Sequence, residues 1–222
     1  MSEVVYVIDD DDAFRDSLVW LLESSQYAVH PFGSAEAFLD VASPHMSGCV
    51  IADVRMSGIT GLELYRRLQA AGIDLPTIIV TGHGDVPMAV TAFRDGVVDF
   101  IEKPLDDQYV LERIEFCLNK ARETAQLRKQ AEDFSRRYES LTQREKEVLE
   151  YIVTGKLNKQ IADLMDISIK TVEVHRSRVM EKMQVMNVAE LVSQNLSFRE
   201  NPKKKPAYAD FFFGVLDQSS SC

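Results

Sequence analysis

Four short apolar runs in the chain each end at a residue able to do polar chemistry. Asp9 and Asp10 follow VVYVI, Asp53 follows CVIA, Thr81 follows TIIV, and Lys103 follows DFIE. Three carboxylates, a hydroxyl and an ammonium gathered in one place would suit phosphoryl transfer. Clustered carboxylates bind Mg²⁺, which takes hard oxygen ligands in octahedral geometry and keeps several waters. Such an ion screens an attacking carboxylate from the phosphoryl oxygens, Lys103 neutralises another oxygen, and Thr81 donates a hydrogen bond. Asp53 is the candidate nucleophile. Taken singly, each residue has a plainer reading, since an Asp behind a strand commonly caps a helix, and Thr-Gly or Lys-Pro pairs commonly make turns. Their order, each behind a strand, favours one pocket over four unrelated turns. The row Asp9–Asp12 divides on the same grounds. Asp9 and Asp10 close a strand and face the pocket, whereas Asp11 and Asp12 sit at the first turn of the next helix, where the macrodipole favours acids.

The elements that must position these residues are legible in the first 120 positions. VVYVI (4–8), GCVIA (48–52), TIIV (77–80) and DFIE (99–102) read as buried strands, with a weaker one at AVHPF (28–32). Helical patterns separate them: AFRDSLVWLLESS, SAEAFLDVAS, GLELYRRLQAAG and VPMAVTAFRDG. Strands alternating with helix-length segments imply βαβ units and a parallel sheet covered on both faces. Sites in such sheets form at the carboxyl ends of the strands, where all four candidate positions fall.

Charge divides the 222 residues. Positions 1–120 carry 8 Lys/Arg against 20 Asp/Glu, positions 121–140 carry 5 against 4, and positions 141–199 carry 9 against 8. An acidic first half joined to a near-neutral second half points to two domains with different partners. The net charge of −10 argues against nonspecific nucleic-acid binding by the whole chain, yet leaves room for one basic face. Cys49, Cys117 and Cys222 are scattered, with no CxxC pair, which suggests a reducing compartment and no structural metal. No run approaches the ~18 apolar residues that cross a bilayer, and no signal-peptide pattern opens the chain. A cytoplasmic protein without membrane contact is expected.

Residues 121–139 lack Pro and Gly and read as a helical linker, the first domain's last helix running on into charged sequence. Residues 140–198 are helical throughout. Thr142 with Glu145 has capping-box spacing, Gly155 is placed as a C-cap, Asn158 starts a short helix, and Ser168 starts another. The last two are joined by the tight connection DIS, in helix-turn-helix proportions. On a wheel of the final helix Val172, Val179 and Met183 form the buried stripe with His175 at its margin. Lys170, Glu173, Val174, Ser177 and Arg178 lie opposite. A cationic side chain can address guanine, Glu can accept from cytosine, and Val can touch a thymine methyl, so this face suits major-groove reading. Lys159 and Arg176 suit phosphates. A solvated charged face is the plainer alternative for any such helix.

Residues 1–120 resemble a two-component receiver domain, the flavodoxin-like module of five parallel strands that accepts a phosphoryl group from a sensor histidine kinase. The resemblance is carried by VIDD with Arg15, DVRM at 53–56 with Gly61, TGHGDVPMAV at 81–90 and VDFIEKP at 98–104. It implies that Asp53 is the phosphoacceptor and that Asp10, Asp53 and the Arg55 backbone carbonyl bind Mg²⁺ directly, with Asp9 acting through water. It further implies that Thr81 and Lys103 bind the phosphoryl group, that Lys103-Pro104 is cis, and that Thr81 and Phe100 act as a switch. One departure stands out: Ser57 occupies the place where the family follows its DxxM with Pro, and a looser loop beside Asp53 is expected. LTQREKEVL, NKQIA and ISIKTVEVHRSRVMEKM resemble a LuxR-type helix-turn-helix of four helices. Residues 1–198 as a whole are similar to the FixJ/NarL response regulators, nearest to FixJ-type members. The resemblance makes Lys159, Lys170, Thr171, Glu173, Val174, Arg176, Ser177 and Arg178 candidate DNA contacts. It implies a regulator that dimerises through the region Val86 to Ile101 when phosphorylated, binds promoter DNA and meets RNA polymerase. It implies no enzyme beyond Mg²⁺-dependent self-phosphorylation and slow autodephosphorylation.

Two other functions fit parts of the sequence. A haloacid-dehalogenase-type phosphatase would need DxDxT after the first strand, and here Ala13 stands in place of the Thr. An adaptor whose helical domain binds protein instead of DNA is the open alternative. The segment 199–222 (with KKK and AYADFFFGVL) has no counterpart in the family pattern, and a flexible tail is expected there.

Overall fold

The computed structural model describes residues 4–82 and 86–199, without the side chains of residues 86–88 and 199. The tail after Arg199, with its KKK and FFF runs, and residues 83–85 lie outside the described residues. Contacts divide the chain into two compact units, Met1–Gln126 and Leu127–Cys222.

In the first unit five parallel strands run in the order β2-β1-β3-β4-β5: β1 Val4–Ile8, β2 Ala28–Phe32, β3 Gly48–Asp53, β4 Thr77–Thr81 and β5 Asp99–Glu102. Between them lie α1 (Asp12–Ser24), α2 (Ala35–Leu39), α3 (Gly61–Ala70) and α4 (Val86–Asp95), and α5 (Asp107–Glu139) follows β5. β3 and β4 are buried at every position, as expected of central strands covered on both faces. β2 is only half-buried, which is why its sequence signal is weak: an edge strand needs fewer apolar residues. Alternate residues feed two cores. Tyr6, Ile8, Val50, Ala52 and Ile79 pack with Phe38, Leu64 and Leu68 on one face. Val5, Val7, Ile51, Ile78 and Val80 pack with Leu18, Leu22, Ile114 and Leu118 on the other, which is the period-2 partition a pleated strand imposes. Cys49 and Cys117 also lie in this second core, fully buried as free thiols. Burial, followed by the contact with Cys117, pushes the Cys49 thiol well above its ordinary value.

The boundary between the units falls inside α5, a 33-residue helix. The second unit adds α6 (Gln143–Val153), α7 (Asn158–Met165), α8 (Ile169–Met183) and α9 (Val188–Arg199). Phe134, Tyr138, Leu149, Ile161, Val172, Val179 and Leu191 share its core. The Thr142–Glu145 capping box forms as the spacing predicts, with Thr142 N–H donating to Glu145 Oε2 at 2.8 Å. Glu145 is also buried against Lys182 Nζ of α8 at 2.7 Å. One helix end differs by one residue from expectation. Thr154 is the C-cap of α6, and Gly155 follows it in the left-handed region at φ 77°. Asn158 starts α7 as expected, and Leu157 precedes it as the cap residue, its N–H taken by Gln160 Oε1 at 2.9 Å. Asp166, with φ 51°, then turns the chain through Ile167 to Ser168, the cap of α8. No helix of the described residues is long and apolar enough to cross a membrane.

Candidate phosphoacceptor pocket and DNA-reading helix

The carboxyl edge of the sheet gathers the expected residues. Lys103 Nζ stands 2.9 Å from Asp9 Oδ2 and 2.8 Å from Asp53 Oδ1, binding the end of β1 to the end of β3. Asp9 and Asp53 are both buried. Their remaining oxygens take backbone donors, Asp11 N–H on Asp9 Oδ1 at 2.9 Å and Arg55 N–H on Asp53 Oδ2 at 2.6 Å. Arg15 Nη1 donates to the Asp9 carbonyl at 2.7 Å, and the Lys103 ammonium also stands 3.6 Å from the centre of the Phe14 ring. Gly61 opens α3 so close to this corner that a Cβ there would lie 2.4 Å from the Asp53 carbonyl oxygen, which explains glycine at that position. Thr81 is buried at the end of β4, its carbonyl accepting Lys103 N–H at 2.7 Å, and the Lys103-Pro104 bond is cis. Phe100 is half-buried and packs on the core beside α3 and α4. Arg55 is exposed.

Asp10 is arranged differently. It is exposed at the rim and its Oδ2 accepts the Ser57 N–H at 2.7 Å, across from the β1–α1 loop to the β3–α3 loop. At Ser57, where a looser loop is expected, the N–H makes a tie that proline could not make. Asp11 is the N-cap of α1, accepting from Ala13 and Phe14 N–H, and Asp12 pairs with Arg15 in the first turn.

Electrostatics follow from two buried acids sharing one base. Burial pushes the Asp9 carboxyl above its ordinary value, and the hydrogen bond from Lys103 offsets this only in part. Burial alone would lower Lys103, but its bonds to Asp53 and Asp9 outweigh that and hold it raised and charged. The Ser57 N–H, then its side chain, hold Asp10 below the usual carboxylate range. These residues fit a hard divalent cation by donor chemistry: three carboxylates at one strand edge with a surplus of negative charge that Lys103 does not cancel. Among the described residues, no three His, Cys, Asp or Glu groups already stand where a metal ion would be held, and Asp10 is hydrogen-bonded to the Ser57 N–H.

In the second unit α8 buries Val172, Val179 and Met183 and exposes Lys170, Thr171, Glu173, Val174, Ser177 and Arg178, as the wheel predicts. Arg176 is partly exposed, and Lys159 is exposed on α7. The Thr171 hydroxyl is engaged by Ser168 Oγ at 2.8 Å within the cap, so it is the least free of the candidates to reach a base. His175 is half-buried with Nδ1 enclosed, in keeping with a packing role.

Sequence reasoning missed three contributors. The Ser57 and Arg55 N–H groups have no side-chain signature, because every residue but proline carries such a donor. Glu36 accepts Ile59 N–H at 2.9 Å, a contact that only the placement of α2 against the β3–α3 loop could reveal.

Comparison with known proteins agrees with this division. The family described as "Response regulator receiver domain" matches residues 5–115, and the one described as "Bacterial regulatory proteins, luxR family" matches residues 139–194. The chain is 47% identical over 192 residues to the transcriptional regulatory protein FixJ of Azorhizobium caulinodans, covering 86% of this chain and 91% of that protein. It is 46% identical over 188 residues to FixJ of Bradyrhizobium diazoefficiens, covering 85% and 92%. Among solved structures it is similar to the response regulator StyR, with a TM-score of 0.80, 37% identity, and coverage of 88% of this chain and 99% of that one.

Proposed function

The chain belongs to the response regulators that join a receiver domain to a LuxR-type DNA-binding domain, and on that premise we propose that Asp53 is phosphorylated by a sensor histidine kinase and that this controls promoter binding by α8. The observation that carries the reading is the convergence of Asp53 and Asp9 on the Lys103 ammonium at 2.8 and 2.9 Å. In the transfer, an Asp53 carboxylate oxygen forms the P–O bond as the P–N bond of a phosphohistidine breaks and the imidazole departs. Lys103, held charged by its acidic neighbours, neutralises the phosphoryl oxygens, and Thr81 at the adjacent strand end supplies a hydroxyl toward them. Asp10, Asp53, the Arg55 carbonyl and, more remotely, Asp9 are the groups that would hold Mg²⁺, which when bound would supply positive charge to the same oxygens. Hydrolysis of the acyl phosphate resets the receiver slowly, and the chain is not otherwise an enzyme.

Thr81 and Phe100 couple the phosphoryl group to the surface around Val86 to Ile101, where Val90 and Phe93 are each 51% exposed. Pairing of two receivers there brings two α8 helices to two half-sites and raises their effective concentration. Lys170, Glu173, Val174, Ser177 and Arg178 read base edges, Lys159 and Arg176 take phosphates, and Thr171 supports the helix start. RNA polymerase is the remaining partner. The domains of this reading are a receiver over 1–120, a helical linker over 121–139, a DNA-binding domain over 140–198 and a tail over 199–222.

The test uses a small acyl-phosphate donor and the regulated promoter. Donor with Mg²⁺ should phosphorylate the wild type, promote dimers and tighten promoter binding, and Asp53→Ala should lose all three. Lys170→Ala with Arg178→Ala should keep phosphorylation and lose promoter binding. Phosphorylation of Asp53→Ala, or promoter binding unaffected by the double change, would overturn the respective half of the reading.

A further inference from the structure

The β3–α3 loop is clipped from both sides by carboxylates. Ser57 N–H is taken by Asp10 Oδ2 at 2.7 Å, and Ile59 N–H by Glu36 Oε1 at 2.9 Å. Gly58, between them, has φ 110°, and a Cβ there would lie 2.6 Å from Glu36 Oε1. Glu36 holds the loop from the side opposite Asp10, so an Asp10 side chain turning toward the pocket moves away from the Ser57 N–H unless the loop gives up the Glu36 contact. The pocket's other carboxylate oxygens are also engaged, on Asp9 by Asp11 N–H and Lys103, and on Asp53 by Arg55 N–H and Lys103. Asp10 is the exposed member and has the greatest freedom to exchange partners.

We propose that the Ser57 main-chain N–H is a latch on this pocket: it holds the Asp10 carboxylate turned to the β3–α3 loop, so a divalent cation recruits Asp10 at the expense of the Ser57–Asp10 hydrogen bond. The inference rests on the reading of Asp10 as a metal ligand and adds to it a positioning role for Ser57. The N–H at 2.7 Å occupies one lone pair of Asp10 Oδ2 and draws on the carboxylate's charge, so a cation that needs ligand oxygens at ~2.0–2.1 Å competes with it for the same group. Hydrogen bonds to charged groups stabilise by enough to matter here. The latch therefore weakens cation affinity on the order of tenfold, the equivalent of ~1.4 kcal/mol. Proline at position 57 has no N–H and removes the latch while leaving all three carboxylates in place.

Isothermal titration of the full chain with Mg²⁺, without a phosphoryl donor, tests this. Ser57→Pro should bind about tenfold more tightly than wild type, whereas Ser57→Ala, which keeps the N–H and loses only the hydroxyl's contact with Asp10, should gain clearly less. Affinity of Ser57→Pro equal to or weaker than that of Ser57→Ala would overturn the latch. Asp10→Asn separates the two layers of argument: undiminished Mg²⁺ binding by that variant refutes Asp10 as a ligand, not the latch alone. Should Ser57→Pro not fold, the wild-type Ser57 amide provides the second measurement. Its hydrogen exchange should accelerate as Mg²⁺ saturates the pocket, and unchanged protection at saturation overturns the proposal.

Discussion

Lys103 answers two buried carboxylates at once, and its removal has a pH signature that distinguishes electrostatics from packing. Without the ammonium, Asp9 and Asp53 face each other in a site whose burial already holds Asp9 raised. A carboxyl whose folded pKa lies above its unfolded value binds more protons when folded, so its ionisation costs stability as pH rises through the unfolded value toward the folded one. Lys103→Ala should therefore destabilise the receiver by about 3 kcal/mol at pH 7, with a smaller loss at about pH 5, in the direction in which the raised Asp9 carboxyl more readily takes up a proton. Chemical denaturation at the two pH values measures this, and an equal loss at both would mean that lost packing against Phe14 dominates. In the wild type the raised Lys103 contributes stability that is present at neutral pH and is lost only as pH climbs past the ordinary lysine value through its own higher one.

At the scale of elements, the second unit depends on how α6 starts. Glu145 joins three features there: the reciprocal Thr142 cap, the buried face of α6, and Lys182 reaching across from α8. Burial would raise its carboxyl, but the Lys182 and Thr142 hydrogen bonds prevail and hold it lowered. The sign is that of a depressed acid: the stabilisation is present above the ordinary glutamate value and is lost as pH falls through the lower folded one. Glu145→Gln should cost about 2 kcal/mol at pH 7, and its deficit relative to wild type should shrink below about pH 4. Thermal melts of the full chain at several pH values test this, and a deficit independent of pH would assign the loss to the cap alone. The cap itself was legible in the sequence, since Thr142 and Glu145 stand three residues apart. Lys182 was not, because its partner lies 37 residues away and becomes a neighbour only when α6 packs on α8. Strands and helices of the receiver were legible for a related reason: each central strand carries its own apolar run, so its identity is local. The Ser57–Asp10 bond was hidden because it joins a backbone donor to an acid 47 residues distant.

The whole molecule combines an acidic receiver with a DNA-reading unit whose charge is nearly balanced, and each has its own hydrophobic core. Charge asymmetry and the spacing of Asp53, Thr81 and Lys103 made that division readable from residues alone. The exact place where contacts separate, inside one uninterrupted helix, was not, because a helix continues through a boundary wherever Pro and Gly are absent. The separation of cores has a use that comes from the two thiols beneath the sheet. Cys49 and Cys117 are fully enclosed, and residues 127–199 contain no cysteine at all. With Cys222 replaced by Ser, every reaction with a thiol-specific reagent must await an opening of the receiver, so the labelling rate becomes a clock for that unit alone. Occupancy of the acidic pocket by Mg²⁺ should slow the clock, and damage confined to α6 should leave it running at its original pace.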